Sequence, residues 1–305
     1  MTSAADPSPA DPSPADPPRV DPFRVEISAG VATVTFDHPP VNVMTTRMFL
    51  GLADVASELA ADEAVRAVVL RSANPEWFIA HFDVAAILRF PVPEPGSPPA
   101  LELNDFHRMC ETFRTMPKPT IAVIEGRVGG GGSELSLSCD MRFATPAAVF
   151  NQPEVALGII PGGSGTVRLP RLVGRGRALE VILGCDDIDA ATAERWGWVN
   201  RVLEPDAIGP FVDRLARRIA SFPAHAVAAA KASVLQADGD LTADLLAEGD
   251  AFAATLGDDE TRRAMARFLE LGGQTPDGER RLGELAGELA DEPDGRSADG
   301  PIGGA

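Results

Sequence analysis

Residues 23–36, FRVEISAGVATVTF, alternate Val, Ile and Thr with polar neighbours on both sides of Ala29 and Gly30. A period of two interrupted by two small residues predicts a β-hairpin. The period then changes. In residues 45–60, TTRMFLGLADVASELA, the apolar positions Met48, Leu52, Val55 and Leu59 fall on one face of a helix. Two uninterrupted apolar runs follow, AVVLRSA (67–73) and PTIAVIEG (119–126), and both read as strands buried on two faces. Between them Phe106, Met109, Cys110, Phe113 and Met116 mark a second amphipathic helix. Strands that alternate with helices define an α/β protein. Beyond about Asp206 strand signals cease, and Pro223, Gly239 and Gly257 punctuate three or four helices that end near Leu271.

Composition separates this body from its ends. Residues 1–22 contain the repeat ADPSPADPSPADP, which offers no apolar face to bury and predicts a disordered tail. Residues 272–305 are rich in Gly, Asp, Glu and Pro and read as a second, acidic and mostly disordered tail, with at most a short helix around 279–289. The expected organisation is therefore a tail (1–22), a core (23–205), a helical region packed on the core or used for assembly (206–271), and a tail (272–305). Both tails are expected to be dispensable, so that residues 20–274 should suffice for activity and assembly.

The 305 residues carry a formal charge of −18, of which −3 falls in residues 1–22 and −5 in 273–305, leaving −10 for the middle. No basic stripe is visible, so a nucleic-acid surface is excluded. No segment approaches the roughly 18 to 20 uninterrupted apolar residues of a membrane span, and the N-terminus lacks a basic stretch followed by an apolar run. Cys110, Cys139 and Cys185 are widely spaced, odd in number and without a CxxC pair, which favours a reducing compartment, the cytoplasm, and a role as small buried hydrophobes.

Candidate chemistry concentrates in two segments. In IAVIEGRVGGGGSELSLSCD (121–140) a strand runs into the glycines 129–132 and then into Ser133, Glu134 and Leu135. Glycines allow a close backbone approach, and the first N–H groups of the following helix face the same space, where an anion or a developing oxyanion can sit. A P-loop would need GK[ST], which is missing. A dinucleotide turn would set Glu134 beside a pyrophosphate that it repels. A structural turn whose acid complements the helix dipole remains open at this point. Downstream, in AVFNQPEVALGIIPGGSGTVRLPRLVG (148–174), Glu154 follows Pro153 among Val149, Phe150, Val155, Leu157, Ile159 and Ile160. A carboxyl in such company is either exposed on a turn or buried with a raised pKa suited to proton transfer.

Taken together the two segments resemble the crotonase (enoyl-CoA hydratase/isomerase) superfamily. Its pattern of KP, a strand, NG, a Gly-rich turn and GELxxxCD is met by Lys118 and Pro119, Glu125 and Gly126, residues 129–132, Glu134 and Leu135, and Cys139 and Asp140. PE followed by LGIxPGxGGTxRLxRLVG is met by Pro153 and Glu154, residues 157–159, Pro161, Gly162 and Gly163, Gly165 and Thr166, and residues 168–174. Residues 190–202, AATAERWGWVNRV, look like the family's AxxAxxxGLVNxV. The resemblance covers roughly residues 23–271.

What it implies is a spiral of β-β-α turns with a C-terminal helical region used in a homotrimer, often a dimer of trimers, and an acyl-CoA thioester substrate. No further cofactor and no metal are implied, coenzyme A being part of the substrate. Glu134 and Glu154 become the acid/base pair, and the backbone N–H groups of Gly131 and Phe82 the oxyanion hole. His81, Asp83, Gly130, Pro161 and Gly162 become candidates for the substrate pocket. The sequence departs from the pattern in WFIAHFD (77–83), where relatives usually read FxAGAD, so that His81 replaces a glycine and Phe82 adds bulk. His81 is open to three readings: catalytic group, hydrogen-bonding wall or packed ring. His81 and Asp83 in one loop are too few for a metal site. The Pro-rich run 91–99 falls where relatives carry a variable loop near the acyl tail. Arg262, Arg263 and Arg267 stand where a lysine-rich ending often meets the CoA phosphates, although solvated helix faces are the simpler reading. Retention of both glutamates favours a 2-enoyl-CoA hydratase; an enoyl-CoA isomerase or other enolate-forming enzyme is the alternative within the fold, and a non-catalytic scaffold the alternative outside it.

Overall fold

The computed structural model describes residues 22–94 and 96–290. The expected tail at 1–22 lies, apart from its last residue, outside the described residues, as do 291–305. The hairpin forms as expected: β1 (Phe23–Ser28) pairs antiparallel with β2 (Val31–Phe36) across Ala29 and Gly30, both at positive φ. The helix α1 (Thr46–Ala61) follows, capped by the Thr45 hydroxyl accepting from Met48 N–H and burying Met48, Leu52 and Leu59.

A repeated turn then begins, each giving one strand to each of two sheets and then one or more helices. The first comprises β3 (Ala67–Ser72), β4 (Trp77–Ile79), a short α2 (Val84–Ile87) and α3 (Asp105–Thr115). The second comprises β5 (Thr120–Ile124), β6 (Arg127–Gly129) and α4 (Gly130–Leu137). The third comprises β7 (Met141–Ala144), β8 (Val149–Asn151), a 3₁₀ turn (Glu154–Leu157), α5 (Gly165–Val173) and α6 (Arg175–Gly184). Two-residue strands β9 (Ile188–Asp189) and β10 (Arg201–Val202) flank α7 (Ala190–Trp196) and extend the two sheets. The larger sheet has the order β1-β2-β3-β5-β7-β10 and the smaller β4-β6-β8-β9; the strands of successive turns pair in parallel. This is the expected spiral.

The apolar runs are continuous because both faces of the larger sheet are covered. Val68 and Leu70 of β3 enter the main core with Phe36, Phe78 and Phe113, whereas Ala67 and Val69 face Ile208, Val212 and Ala216 of α8 (Pro205–Ala220). Three further helices complete the region once read as 206–271: α9 (Ala224–Leu235), α10 (Thr242–Thr255) and α11 (Asp259–Glu270). The cysteines are buried and free, and burial pushes the thiols of Cys110 and Cys139 up to about 12.

One boundary needs correction. Residues from 272 do not begin a disordered tail: α12 (Pro276–Arg280) and α13 (Leu282–Ala290) fold back onto the body. Leu282 and Leu285 enter a third apolar cluster with Val84, Leu157, Met265 and Phe268, and Glu279 is 1% exposed. A chain ending at 274 would lose the contacts that Glu279, Leu282 and Leu285 make.

Candidate active site

The smaller sheet delivers the chain to one point three times. Strand β4 ends at Ile79, and residues 80–83 cross in front of α4, whose N-terminus follows β6 without a loop. The glycines are required by that crossing. Gly130 adopts φ +42°, and a Cβ at Gly132 would lie 2.4 Å from the Ile79 carbonyl oxygen. Residues 81 and 82 pass equally close: a Cβ at Gly130 would stand 2.9 Å from the His81 Cβ and 3.0 Å from Glu154 Oε1, and one at Gly131 would stand 3.4 Å from the Phe82 Cβ. Gly131, the second residue of α4, keeps a backbone N–H with no partner inside the helix. Phe82 is pinned from both sides, since Met44 N–H donates to His81 C=O (2.8 Å) and Asp83 N–H donates to Met44 C=O (3.1 Å). That bridge engages the groups on either side of Phe82 and not the Phe82 N–H itself.

Glu134 lies on the next turn of α4 and Glu154 opens the 3₁₀ turn after Pro153; both are buried and both line one cavity of about 630 Å³. The wall also includes Gly131, Phe82, His81 and Gly162 and is otherwise mainly apolar, with Phe49, Phe90, Phe106 and Phe252 contributing rings. Glu134 Oε1 accepts from Gly163 N–H (2.8 Å) and Gly165 N–H (2.9 Å). Glu154 Oε2 is buried with no hydrogen-bond partner among the described residues. Burial, then the neighbouring charges of Glu154 and Glu248, hold the Glu134 carboxyl well above the usual range despite those two N–H donors. Burial likewise lifts Glu154, to about 7; the nearby His81 charge pulls down and Glu248 pushes up. Two carboxyls in one dry site do not both ionise readily.

Several residues packed behind the wall carried no sequence signal of their own. Glu248 on α10 is 4% exposed; its Oε2 accepts from Ser164 N–H (2.6 Å) and contacts His107 Nε2 (2.9 Å), while Oε1 accepts from Thr166 N–H (2.8 Å) and the Thr166 hydroxyl (2.5 Å). The N–H groups of residues 163–166, at the start of α5, are thus given alternately to Glu134 and Glu248. Gln152, fully buried, has no partner for its amide among the described residues; a Cβ on Gly165 would lie 2.4 Å from its Nε2 and 3.0 Å from Glu134 Oε1. No period or motif marks these residues, because each acts through a contact with a distant segment.

The candidate pocket residues divide. His81 and Gly162 line the cavity, as do Pro91, Pro93 and Pro98 of the Pro-rich run. Asp83 does not: its carboxylate caps α2 by accepting from Ala85 N–H (3.0 Å) and also accepts from Gln274 Nε2 (3.1 Å). Gly130 and Pro161 are buried behind the wall, the first against His81 and Glu154, the second against Gly165. Arg262, Arg263 and Arg267 lie on α11 away from the cavity wall, Arg262 and Arg263 exposed to solvent. Among the described residues no group of three or more His, Cys, Asp or Glu is gathered as a metal site, and no helix is long and apolar enough to cross a membrane.

The spiral fold thus encloses a largely apolar cavity lined by two buried carboxyls, with Gly131 and Phe82 beside them. Residues 26–275 match the enoyl-CoA hydratase/isomerase family model, and the chain belongs to that family. It is 36% identical to the crotonyl-CoA hydratase of Syntrophomonas wolfei over 237 residues, 75% of this chain and 87% of that protein. It is 34% identical to the short-chain-enoyl-CoA hydratase of Clostridium acetobutylicum over 250 residues, 81% of this chain and 94% of that one. Among solved structures, a Streptomyces avermitilis protein described as a candidate enoyl-CoA hydratase is 41% identical, with a TM-score of 0.81 over 89% of this chain and 99% of the other.

Proposed function

We propose that this chain is a 2-enoyl-CoA hydratase, a lyase that adds water across the C2–C3 double bond of an acyl-CoA thioester. The observation that carries this reading is that Glu134 and Glu154 are both buried on one cavity wall beside Gly131 and Phe82. The thioester oxygen accepts from the Phe82 and Gly131 N–H groups, and electron density from the double bond moves onto it as oxygen bonds to C3. Glu134, held at Oε1 by two N–H donors, takes a proton from the water through its other oxygen. Glu154, whose pKa of about 7 suits a group that gives up a proton near neutrality, delivers one to C2. The reaction changes no overall oxidation state, so the reading needs no redox cofactor. The names of the two bacterial relatives support the substrate class.

The same reading includes a homotrimer or dimer of trimers in the cytoplasm. Three buried free thiols support a reducing compartment. Helix α9, built largely of Ala and Val, has no buried residue in the protomer, which supports a subunit contact.

The test is turnover of a panel of 2-enoyl-CoA esters followed by mass spectrometry, with Glu134→Gln and Glu154→Gln alongside the wild type. A hydratase gains one water, and each variant slows by roughly 10² to 10⁴, the usual worth of one general acid or base. An isomerase gives a product of unchanged mass and needs only one of the two carboxyls. Turnover indifferent to both substitutions in folded protein rejects the acid/base assignment.

A further inference from the structure

We propose that Glu279, acting through His81, is a positioning residue for the oxyanion hole, fixing the loop that presents the Phe82 N–H to the thioester. This rests on the oxyanion reading given above. The two side chains are 5% and 1% exposed and stand 198 residues apart in sequence, yet His81 Nε2 meets Glu279 Oε1 at 2.9 Å. The other ring nitrogen, Nδ1, lies 2.7 Å from the Phe82 carbonyl oxygen. Both partners are acceptors, so both ring nitrogens donate and the ring is an imidazolium. Burial opposes that charge, but Glu279, the Phe82 carbonyl and Glu154 outweigh it and raise His81 to about 9.

The clamp is wider than one ion pair. Glu279 Oε1 also accepts from Gln274 N–H (2.8 Å), and Gln274 Nε2 donates to Asp83 Oδ1 (3.1 Å), so residues 274–279 grip the loop at His81 and at Asp83. The donor itself lies between these grips. The peptide that carries the Phe82 N–H has as its carbonyl that of His81, which accepts from Met44 N–H, and a bonded carbonyl strengthens the N–H of the same peptide. Around the ring, Glu279 faces from α12, Glu154 from the 3₁₀ turn, and the Phe268 ring from α11 with centroids 5.6 Å apart; Arg127 on β6 acts on Glu279.

The experiment uses the full chain and Glu279→Gln, with Gly131→Pro as the reference that breaks the hole directly. Beside kcat and KM across pH, it reads the absorption of a bound aryl-acryloyl-CoA carrying an electron-donating ring substituent, whose band moves to the red when its carbonyl is polarised. Expected for Glu279→Gln is a kcat lower by roughly 10- to 100-fold, the scale of a misplaced reacting group, with KM unchanged and a smaller red shift. A second alkaline inflection, set by His81 above the limb of the carboxyl pair, should also move towards neutrality, because the carboxylate that holds its proton is gone. An undiminished red shift in Glu279→Gln, with the shift lost in Gly131→Pro, overturns the proposal and leaves the oxyanion hole standing. A shift insensitive to both rejects the hole, and the proposal with it. Should Glu279→Gln fail to fold, the wild type decides: its red shift must fall as pH passes through about 9 at constant circular dichroism, and a flat profile overturns the proposal.

Discussion

Ser164 stands at φ +101°, a backbone conformation that a residue with a Cβ rarely adopts. What holds it there is the pair of carboxylates on either side: Glu134 takes the N–H groups of Gly163 and Gly165, and Glu248 takes those of Ser164 and Thr166. The same arrangement bears electrostatically on the proposed acid/base pair, Glu134 and Glu154. Glu248 raises both Glu134 and Glu154 by charge, after burial has done so by desolvation. If hydration needs the protonated Glu154, activity falls as pH rises through about 7. Removing the Glu248 charge lowers the pKa of the pair, so Glu248→Gln should move that alkaline limb of kcat/KM to lower pH. A limb that stays in place in a folded variant would show that the Glu248 charge is not felt at the reacting carboxyls. Because the pair is coupled, the limb reports the pair and not one residue.

At the scale of elements, α12 and α13 change the picture most. Their glycines and acids lower the mean apolar content of residues 272–290, and composition therefore reads as tail. Yet Leu282, Leu285, Ala286 and Leu289 keep helical spacing, and the first three are buried. That period was present in the sequence and was outweighed by composition. Leu285, fully buried, gives a direct measure: Leu285→Ala should cost about 2 to 5 kcal/mol, as for other buried leucines, read as a lower midpoint in urea unfolding. Deleting residues 275–305 should lower the midpoint further and reduce turnover, since it removes Glu279 as well as the leucines. Full activity and stability after that deletion would mean that the fold of residues 276–290 is immaterial to the site.

For the whole molecule, the two sheets and their helices account for the core, but not for α9. None of its residues is buried in the protomer, Val227, Ala228 and Leu235 being only half-buried, and Val234 is 73% exposed. Lys231 holds the helix down, pairing with Asp140 (2.8 Å) and donating to Lys118 C=O (2.9 Å). A helix so anchored and so apolar on its free side is suited to a subunit contact. Light scattering should accordingly give the mass of a trimer or a dimer of trimers. A monomer at micromolar concentration would reject the assembly.

The sequence by itself determined the α/β class, the hairpin and the buried strands, each from local information: a period of two or 3.6, or an unbroken apolar run. It singled out Glu134 and Glu154, and set His81 and Phe82 apart, through a resemblance to a family pattern, without saying what His81 does. Only the tertiary structure decided that, because the answer is a carboxylate 198 residues away whose surroundings in sequence look like tail. The same holds for Glu248, which lies 82 and 84 residues from the N–H groups it accepts, and for Asp83, which turns from the cavity to cap a helix. Sequence periodicity records which face of an element is buried. Which buried polar groups meet across elements is set by the packing of the folded chain, where an unpaired one would be costly.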